Sequence, residues 1–136
     1  MTTKRITCIL CPNGCEIEVA YSGEPTAETI RVDGNLCPRG TDYVLEELTD
    51  PKRTLTTSIL VRGGTQPQAS VKTACPIPRA ALLPARAALR TIVADAPVAI
   101  GDVVARDVAG TGVDAIVTRA VPRAVPRTTA SARRAS

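Results

Sequence analysis

Residues 7–19 read TCILCPNGCEIEV, and this stretch decides how the first part of the chain folds. It holds Cys8, Cys11 and Cys15 in a C-x2-C-x3-C pattern, and Cys37 follows in NLCPRG after 21 further residues. Thiolates packed this densely repel one another unless a cation or a cationic cluster core lies between them. We therefore expect the four cysteines to share one metal or cluster site.

The segments around the cysteines alternate in the manner of half-buried β-strands. KRITCIL predicts a short strand that runs into the cysteine loop. CEIEVAYS places Ile17 and Val19 on one face, and TIRVDG places Ile30 and Val32 on one face, with the turn GEPTAE between them. These two strands are predicted to pair as a hairpin, which would return Cys37 towards the other cysteines.

A short helix is predicted after Cys37, over RGTDYVLEELTDP. Thr41 or Asp42 is the expected N-cap residue, and Pro51 follows the end of the pattern. Glu46 and Glu47 are expected on the outer face of this helix.

The second half of the chain is richer in predicted strands. TLTTSILV and QASVKT flank RGGTQP, which predicts a hairpin with a turn at Gly63-Gly64. IPRAALLPARAALRTIVAD predicts a helix with Pro84 in its first turn or at a kink. PVAIGDVVARDV and VDAIVTRAV predict further strands.

These elements predict an α+β fold. A small N-terminal cysteine-cluster lobe with a short β-hairpin and a helix, residues 1–51, is followed by a β-rich lobe with one helix, residues 52–119. Residues 120–136 have no apolar period and are predicted to be a disordered basic tail.

The amino-acid composition argues against several classes of function. The chain has no His, which removes the commonest general base and every mixed Cys/His metal site. Residues 1–119 carry 13 Lys+Arg and 13 Asp+Glu, so the net charge of +4 comes from the tail. With a neutral body and only two aromatic side chains, nucleic-acid binding is not expected. No segment has the roughly 20 apolar residues of a membrane helix, and a cytoplasmic protein is expected.

The cysteine spacing favours one cofactor and leaves others open. Structural zinc sites are typically built from two close pairs of ligands. Three ligands on one loop with a distant fourth are more usual for a [4Fe–4S] cluster, which we favour here. Zinc, or a redox or disulfide role, remains an alternative. Cys75, in TACPIP, is expected to be an unliganded thiol.

CILCPNGCEIEV and GNLCPRG resemble the N-terminal cluster segment of molybdopterin-dependent oxidoreductases such as formate dehydrogenase and periplasmic nitrate reductase. The resemblance covers residues 6 to about 45 and implies a [4Fe–4S] cluster on Cys8, Cys11, Cys15 and Cys37. It also implies that Arg39, at the family's basic position after the last cysteine, assists electron transfer. Molybdenum is not expected, because the chain is too short for the pterin-binding domains.

A second resemblance covers most of the chain. CILCPNGCEIEV, GNLCPRGTDYVLEELTDPKRTLTTSILVRGG, PVAIGDVV and GTGVDAIVTR resemble a family of small bacterial proteins known as a domain of unknown function. Members are commonly encoded beside FAD-dependent dehydrogenases of the glycerol-3-phosphate type and NAD(FAD)-dependent oxidoreductases, so the resemblance implies a small redox subunit of such a flavoprotein system. Cys75 and the Arg-rich tail depart from the family pattern.

Together these observations predict a small iron–sulfur electron-transfer subunit of a flavoprotein dehydrogenase system, rather than a complete enzyme. The alternative is a zinc-stapled structural or assembly module without redox activity. For Arg39, an ordinary solvated surface charge is the competing interpretation.

Overall fold

The computed structural model describes residues 1–126, and these form two compact units. The first unit is Met1–Arg53 and the second begins at Thr54. Both units contain strands and one α-helix, so the predicted α+β class is confirmed.

Three antiparallel strands form the sheet of the first unit: β1 (Thr2–Thr7), β2 (Glu16–Tyr21) and β3 (Arg31–Asp33). The central strand is β2, which pairs with β1 on one side and with β3 on the other. Thr7 lies opposite Glu16, and Val19 lies opposite Val32. The predicted β2–β3 hairpin is therefore present. The pairing of β1 with β2 makes the cysteine loop the turn of a second hairpin.

A 12-residue helix, α1 (Pro38–Thr49), follows β3, and the short strand β4 (Lys52–Arg53) ends the unit. The predicted N-cap is wrong. Cys37 is the N-cap residue, without a side-chain cap, and both Thr41 and Asp42 lie inside the helix. The reason is Pro38, whose fixed φ suits the first helical position and whose missing N–H costs nothing there.

The prediction that Glu47 faces outwards is also wrong. Its carboxylate is half-buried and accepts hydrogen bonds from both terminal guanidinium nitrogens of Arg53, at 2.7 and 2.8 Å. This hydrogen bonding and the charge of Glu47 raise the pKa of Arg53 above its ordinary value. The paired geometry ties the end of α1 to the segment that follows it.

The strands of the second unit are β5 (Thr56–Arg62), β6 (Gln68–Thr73), β7 (Ile77–Pro78), β8 (Val93–Asp95), β9 (Val103–Ala105) and β10 (Ala115–Val117). All of these except β7 form one sheet in the order β8-β5-β6-β10-β9. The pair β5–β8 is parallel and the other pairs are antiparallel. The predicted β5–β6 hairpin is present, and Gly63 in its turn has a φ of +70°, which glycine adopts without strain.

One α-helix, α2 (Leu82–Leu89), packs on the core of this sheet, preceded by a turn of 3-10 helix, Arg79–Ala81. A second 3-10 turn spans Val108–Gly110. Pro84 lies in the first turn of α2, as predicted. The helix is shorter than its Ala/Leu-rich pattern, because Val93–Asp95 pairs with β5 as β8 instead. Ala85 and Leu89 are the fully buried residues of α2.

The predicted disordered tail begins too early. Val121 is only 1% exposed and belongs to the core cluster of the second unit. It pairs with Val98, and Arg123 pairs with Gly64, in isolated β-bridges. The correction extends to Ala124, whose N–H donates to the carbonyl oxygen of Gly63 at 2.9 Å. Residues 127–136 lie outside the described residues, and for them the tail stays a prediction.

Val121→Ala is expected to lower the free energy of unfolding by about 2 kcal/mol, because two buried methyl groups are lost. Val125, which is 83% exposed, provides the matched control. Val125→Ala is expected to change the free energy by less than about 0.5 kcal/mol. Urea unfolding followed by circular dichroism measures both. Equal effects would contradict the placement of Val121 in the core.

Candidate metal centre

Cys8 and Cys15 face each other at the base of the β1–β2 hairpin loop. Cys8 directly follows β1 and Cys15 directly precedes β2. The backbone N–H of Cys8 donates to the carbonyl oxygen of Cys15 at 2.9 Å, which continues the strand ladder by one pair. Cys8 is buried in the core of the first unit, and Cys15 packs half-buried against it. Directly opposed residues of antiparallel strands have Cβ atoms about 5 Å apart, close enough for two ligands of one site.

Cys11 lies in the loop that these two residues close. Its side chain is exposed, as are the residues on both sides of it, Leu10 and Pro12. Gly14 has a φ of +59°, a conformation that lets the chain turn back into β2. The third thiol is thus carried on an exposed loop with its two ends fixed by the sheet.

Cys37 approaches from the other side of β2. The β2–β3 register runs from Val19–Val32 to Glu18–Asp33, so each further residue after β3 moves back along β2 towards Cys15. Gly34, with a φ of +87°, marks this close passage, since a Cβ atom there would lie 2.5 Å from the carbonyl oxygen of Glu16. Cys37 is three residues further along the chain than Gly34, a reach of at most about 11 Å.

Asn35 fixes the chain between β3 and α1, a role that sequence reasoning missed. Its side-chain amide donates to the carbonyl oxygen of Cys37 and to the hydroxyl of Thr41, both at 3.2 Å. A Cβ atom on the buried Gly40 would lie 3.0 Å from both Asn35 and Ile17, so α1 packs closely on this segment and on β2. In the sequence, the pattern Asn-x-Cys-Pro at residues 35–38 indicates this hydrogen bonding between the Asn side chain and the start of the helix.

The charges at the start of α1 favour a negatively charged group nearby. Cys37 occupies the N-cap position, Arg39 lies in the first turn, and that turn contains no acidic residue. Arg39 is exposed and makes no ion pair within residues 1–126. A cation at a helix N-terminus opposes the helix dipole by roughly 0.3–1 kcal/mol, so the charge of Arg39 does not stabilise α1.

Tyr43 lies on α1 near Cys8. Burial raises the pKa of the Tyr43 hydroxyl above its ordinary value, and the charge of Glu47 raises it further. A smaller contribution in the same direction comes from Cys8. Tyr43 is also partly buried against the core cluster that contains Cys8, so the middle of α1 lies beside the base of the cysteine loop, a proximity that the sequence alone did not predict.

The donor set has the chemistry of a thiolate metal centre, but its ligating geometry is not assembled. All five cysteines are free thiols. Within residues 1–126, no three or more His, Cys, Asp or Glu side chains are grouped closely enough to hold a metal ion. The sheet brings the segments of Cys8, Cys15 and Cys37 to one end of the first unit. A site that used all four cysteines would need Cys11 and Cys37 to lie closer to the other two than they do here. Cys75 is exposed and lies in the second unit.

Comparisons with known proteins identify a family and a similar fold. Residues 38–119 match the model of the family described as "Protein of unknown function (DUF1667)". The match begins directly after Cys37, so all four N-terminal cysteines lie outside it. The NMR structure of Clostridium perfringens protein CPE0013 is similar with a TM-score of 0.50 and 26% sequence identity, over 54% of this chain and 87% of that one. No curated protein matches the chain.

In the part of the chain that the structure describes, no helix is long and apolar enough to cross a membrane.

Proposed function

This chain belongs to the DUF1667 family, whose function is unknown, and from that premise we propose that it is a small iron–sulfur electron-transfer protein. Cys8, Cys11, Cys15 and Cys37 would hold a [4Fe–4S] cluster. The observation that carries the proposal is the β1–β2–β3 sheet, which sets Cys8 opposite Cys15 and directs Cys37 back along β2. When bound, the cluster supplies one-electron transfer at a potential that the surrounding protein tunes.

The local charges support a negatively charged occupant. A cubane cluster bound by four thiolates carries net negative charge, and the first amides of α1 and the guanidinium of Arg39 both favour such charge beside Cys37. Arg39 also makes no ion pair within the described residues, so its charge is available to a neighbouring group. This supports a functional interpretation of Arg39 over that of an ordinary surface charge.

The zinc alternative is supported by the small core of the first unit. Only four of its apolar residues are fully buried: Cys8, Ile17, Val19 and Val44. A unit of this size commonly needs a metal or disulfides to be stable. A structural zinc ion on the same four thiolates would meet that need without redox chemistry, so metal analysis must decide between the two.

The partner we propose is an FAD-dependent dehydrogenase, with the glycerol-3-phosphate type as the first candidate. A flavin takes two electrons from an organic substrate and can release them singly, which matches a one-electron carrier. We place the protein in the cytoplasm, where thiols stay reduced and available for ligation.

Arg39→Ala is expected to slow reduction of the cluster by the dehydrogenase and its substrate several-fold, while leaving the unfolding free energy unchanged within about 0.5 kcal/mol. The measurement is anaerobic mixing of the two proteins with substrate while the cluster absorbance is followed. Arg31→Ala, an exposed charge on β3, is the matched control. If no co-encoded flavoprotein bleaches a fully loaded cluster, the electron-transfer proposal fails. If Arg39→Ala behaves like Arg31→Ala, only the role of Arg39 fails.

A further inference from the structure

A groove of about 480 Å³ lies in the second unit. One wall is formed by β5, from Thr57 to Leu60. Two arginines line it as well, Arg86 of α2 and Arg90 directly after that helix. None of the described residues that line the groove is acidic.

The directions of the β5 hydrogen bonds show that one edge of this strand is partly open. Val61 donates its N–H to the carbonyl of Pro67, and the carbonyl of Leu55 accepts from the N–H of Thr73. The backbone N–H and C=O groups of the odd-numbered residues of β5 therefore point towards β6. Because the direction of these backbone groups alternates along a strand, those of the even-numbered residues point to the opposite edge.

The strand β8 covers only one end of that opposite edge. It pairs with Leu60–Arg62, and the carbonyl of Arg62 accepts the N–H of Ala96 at 2.9 Å. Thr56 and Ser58 lie beyond the start of β8, so in the described chain their edge-facing N–H and C=O groups have no strand opposite them. Both residues are exposed, and Ser58 lines the groove.

The two arginines are available to an incoming anion. Arg86 and Arg90 are exposed, and neither makes an ion pair with any residue of 1–126. They are four residues apart, which places them about 6 Å apart along the helix axis. Alternate residues on one face of an extended strand are about 6.7 Å apart, a closely similar spacing.

We propose that this groove binds an extended, acidic segment of another protein as an added strand on the free edge of β5. The backbone of the segment would pair with Thr56 and Ser58. Its side chains on the α2 side of the sheet would be acidic at every second position and would bind Arg86 and Arg90. Backbone pairing supplies affinity in this mode of recognition, and the alternate side chains supply specificity.

Two other occupants fit the observations less well. A small anion such as phosphate could bind the two arginines. It would also lie beside the edge-facing carbonyl oxygens of Thr56 and Ser58, which repel negative charge. The chain's own last ten residues contain Arg127, Arg133 and Arg134 and no acid, so their charge has the same sign as the groove. A peptide backbone pairs with both the donors and the acceptors of the edge.

The test is titration of the isotope-labelled full-length protein with a blocked heptapeptide of alternating Thr and Glu, followed by NMR. We expect the largest shifts at the amides of Thr56 and Ser58 and at the guanidinium groups of Arg86 and Arg90. The double variant Arg86→Gln/Arg90→Gln is expected to bind about tenfold more weakly, as for the loss of two partly exposed ion pairs. Arg79→Gln, in the 3-10 turn before α2 and outside the groove, is expected to bind like the original protein.

Two further probes separate the proposal from simple charge attraction. A heptapeptide with Lys in place of Glu, and an N-methylated version of the acidic peptide, are both expected to bind at least tenfold more weakly. Equal binding of the N-methylated peptide would overturn strand addition. Equal shifts with inorganic phosphate, or absence of shifts at Thr56 and Ser58, would overturn the assignment of a peptide to this groove.

Discussion

Replacing Cys37 with alanine is expected to remove nearly all iron from anaerobically prepared protein, whereas Cys75→Ala is expected to leave the iron content unchanged. The loss is large because a cubane cluster needs four thiolate ligands, and no His is available as a substitute. Ligation is coupled to folding in small metal-binding units, so Cys37→Ala is also expected to loosen the first unit.

The comparison is matched, since both cysteines are exposed free thiols and each is followed by a proline. Iron analysis and the visible absorbance of the cluster measure the outcome. An iron-loaded Cys37→Ala protein together with a bleached Cys75→Ala protein would show that the ligand assignment is wrong.

Gly34→Ala is expected to destabilise the first unit by roughly 3 kcal/mol, from a left-handed backbone conformation and a steric clash together. Gly34 has a φ of +87°, and an added Cβ atom would lie 2.5 Å from the carbonyl oxygen of Glu16. The chain must then move away from β2, and Cys37 moves with it. The iron content is expected to fall as well.

Gly23→Ala separates the cost of the left-handed backbone conformation from the cost of the steric clash. Gly23 also has a positive φ, +73°, but nothing lies within 4 Å of the added Cβ atom. Its expected cost is about 1 kcal/mol, with full iron content. Amide hydrogen exchange of β2 measures the stability of the first unit in both variants. If the two variants lose equal stability and both keep full iron, the close passage at Gly34 does not position Cys37.

Much of the first unit could be predicted from alternation alone. Ile17 and Val19 are fully buried and their neighbours Glu16 and Glu18 are exposed, which is the pattern of a sheet with one face on a core. The sequence predicts too late a start for α1, because Thr41 and Asp42 are of residue types that favour the N-cap position. Pro38 and the contact of Gly40 with Ile17 are what begin the helix earlier.

The second unit shows how tertiary pairing overrides local pattern. Val93–Asp95 continues an Ala/Leu-rich helical pattern, yet it is a strand because β5 offers it a partner. Val121 lies in a segment without an apolar period, yet it is buried and shares two backbone hydrogen bonds with Val98. A single buried valine does not produce a periodic pattern from which a strand could be predicted.

The sequence predicts some features of the candidate site, and others depend on the fold. The four cysteines are read directly from the sequence, because their spacing is local. Asn35 gains its role from hydrogen bonds to Cys37 and Thr41, which form because α1 begins at Pro38. Tyr43 packs against the cluster that contains Cys8, because α1 lies against β2. The free edge of β5 depends on where β8 begins, which only the folded chain defines.

The central claim is that Cys8, Cys11, Cys15 and Cys37 hold a [4Fe–4S] cluster, and metal analysis tests it most directly. Protein prepared without oxygen should be brown and contain about four irons and four acid-labile sulfides per chain, the stoichiometry of a cubane. A colourless protein with one tightly held zinc ion per chain and no labile sulfide would contradict the claim.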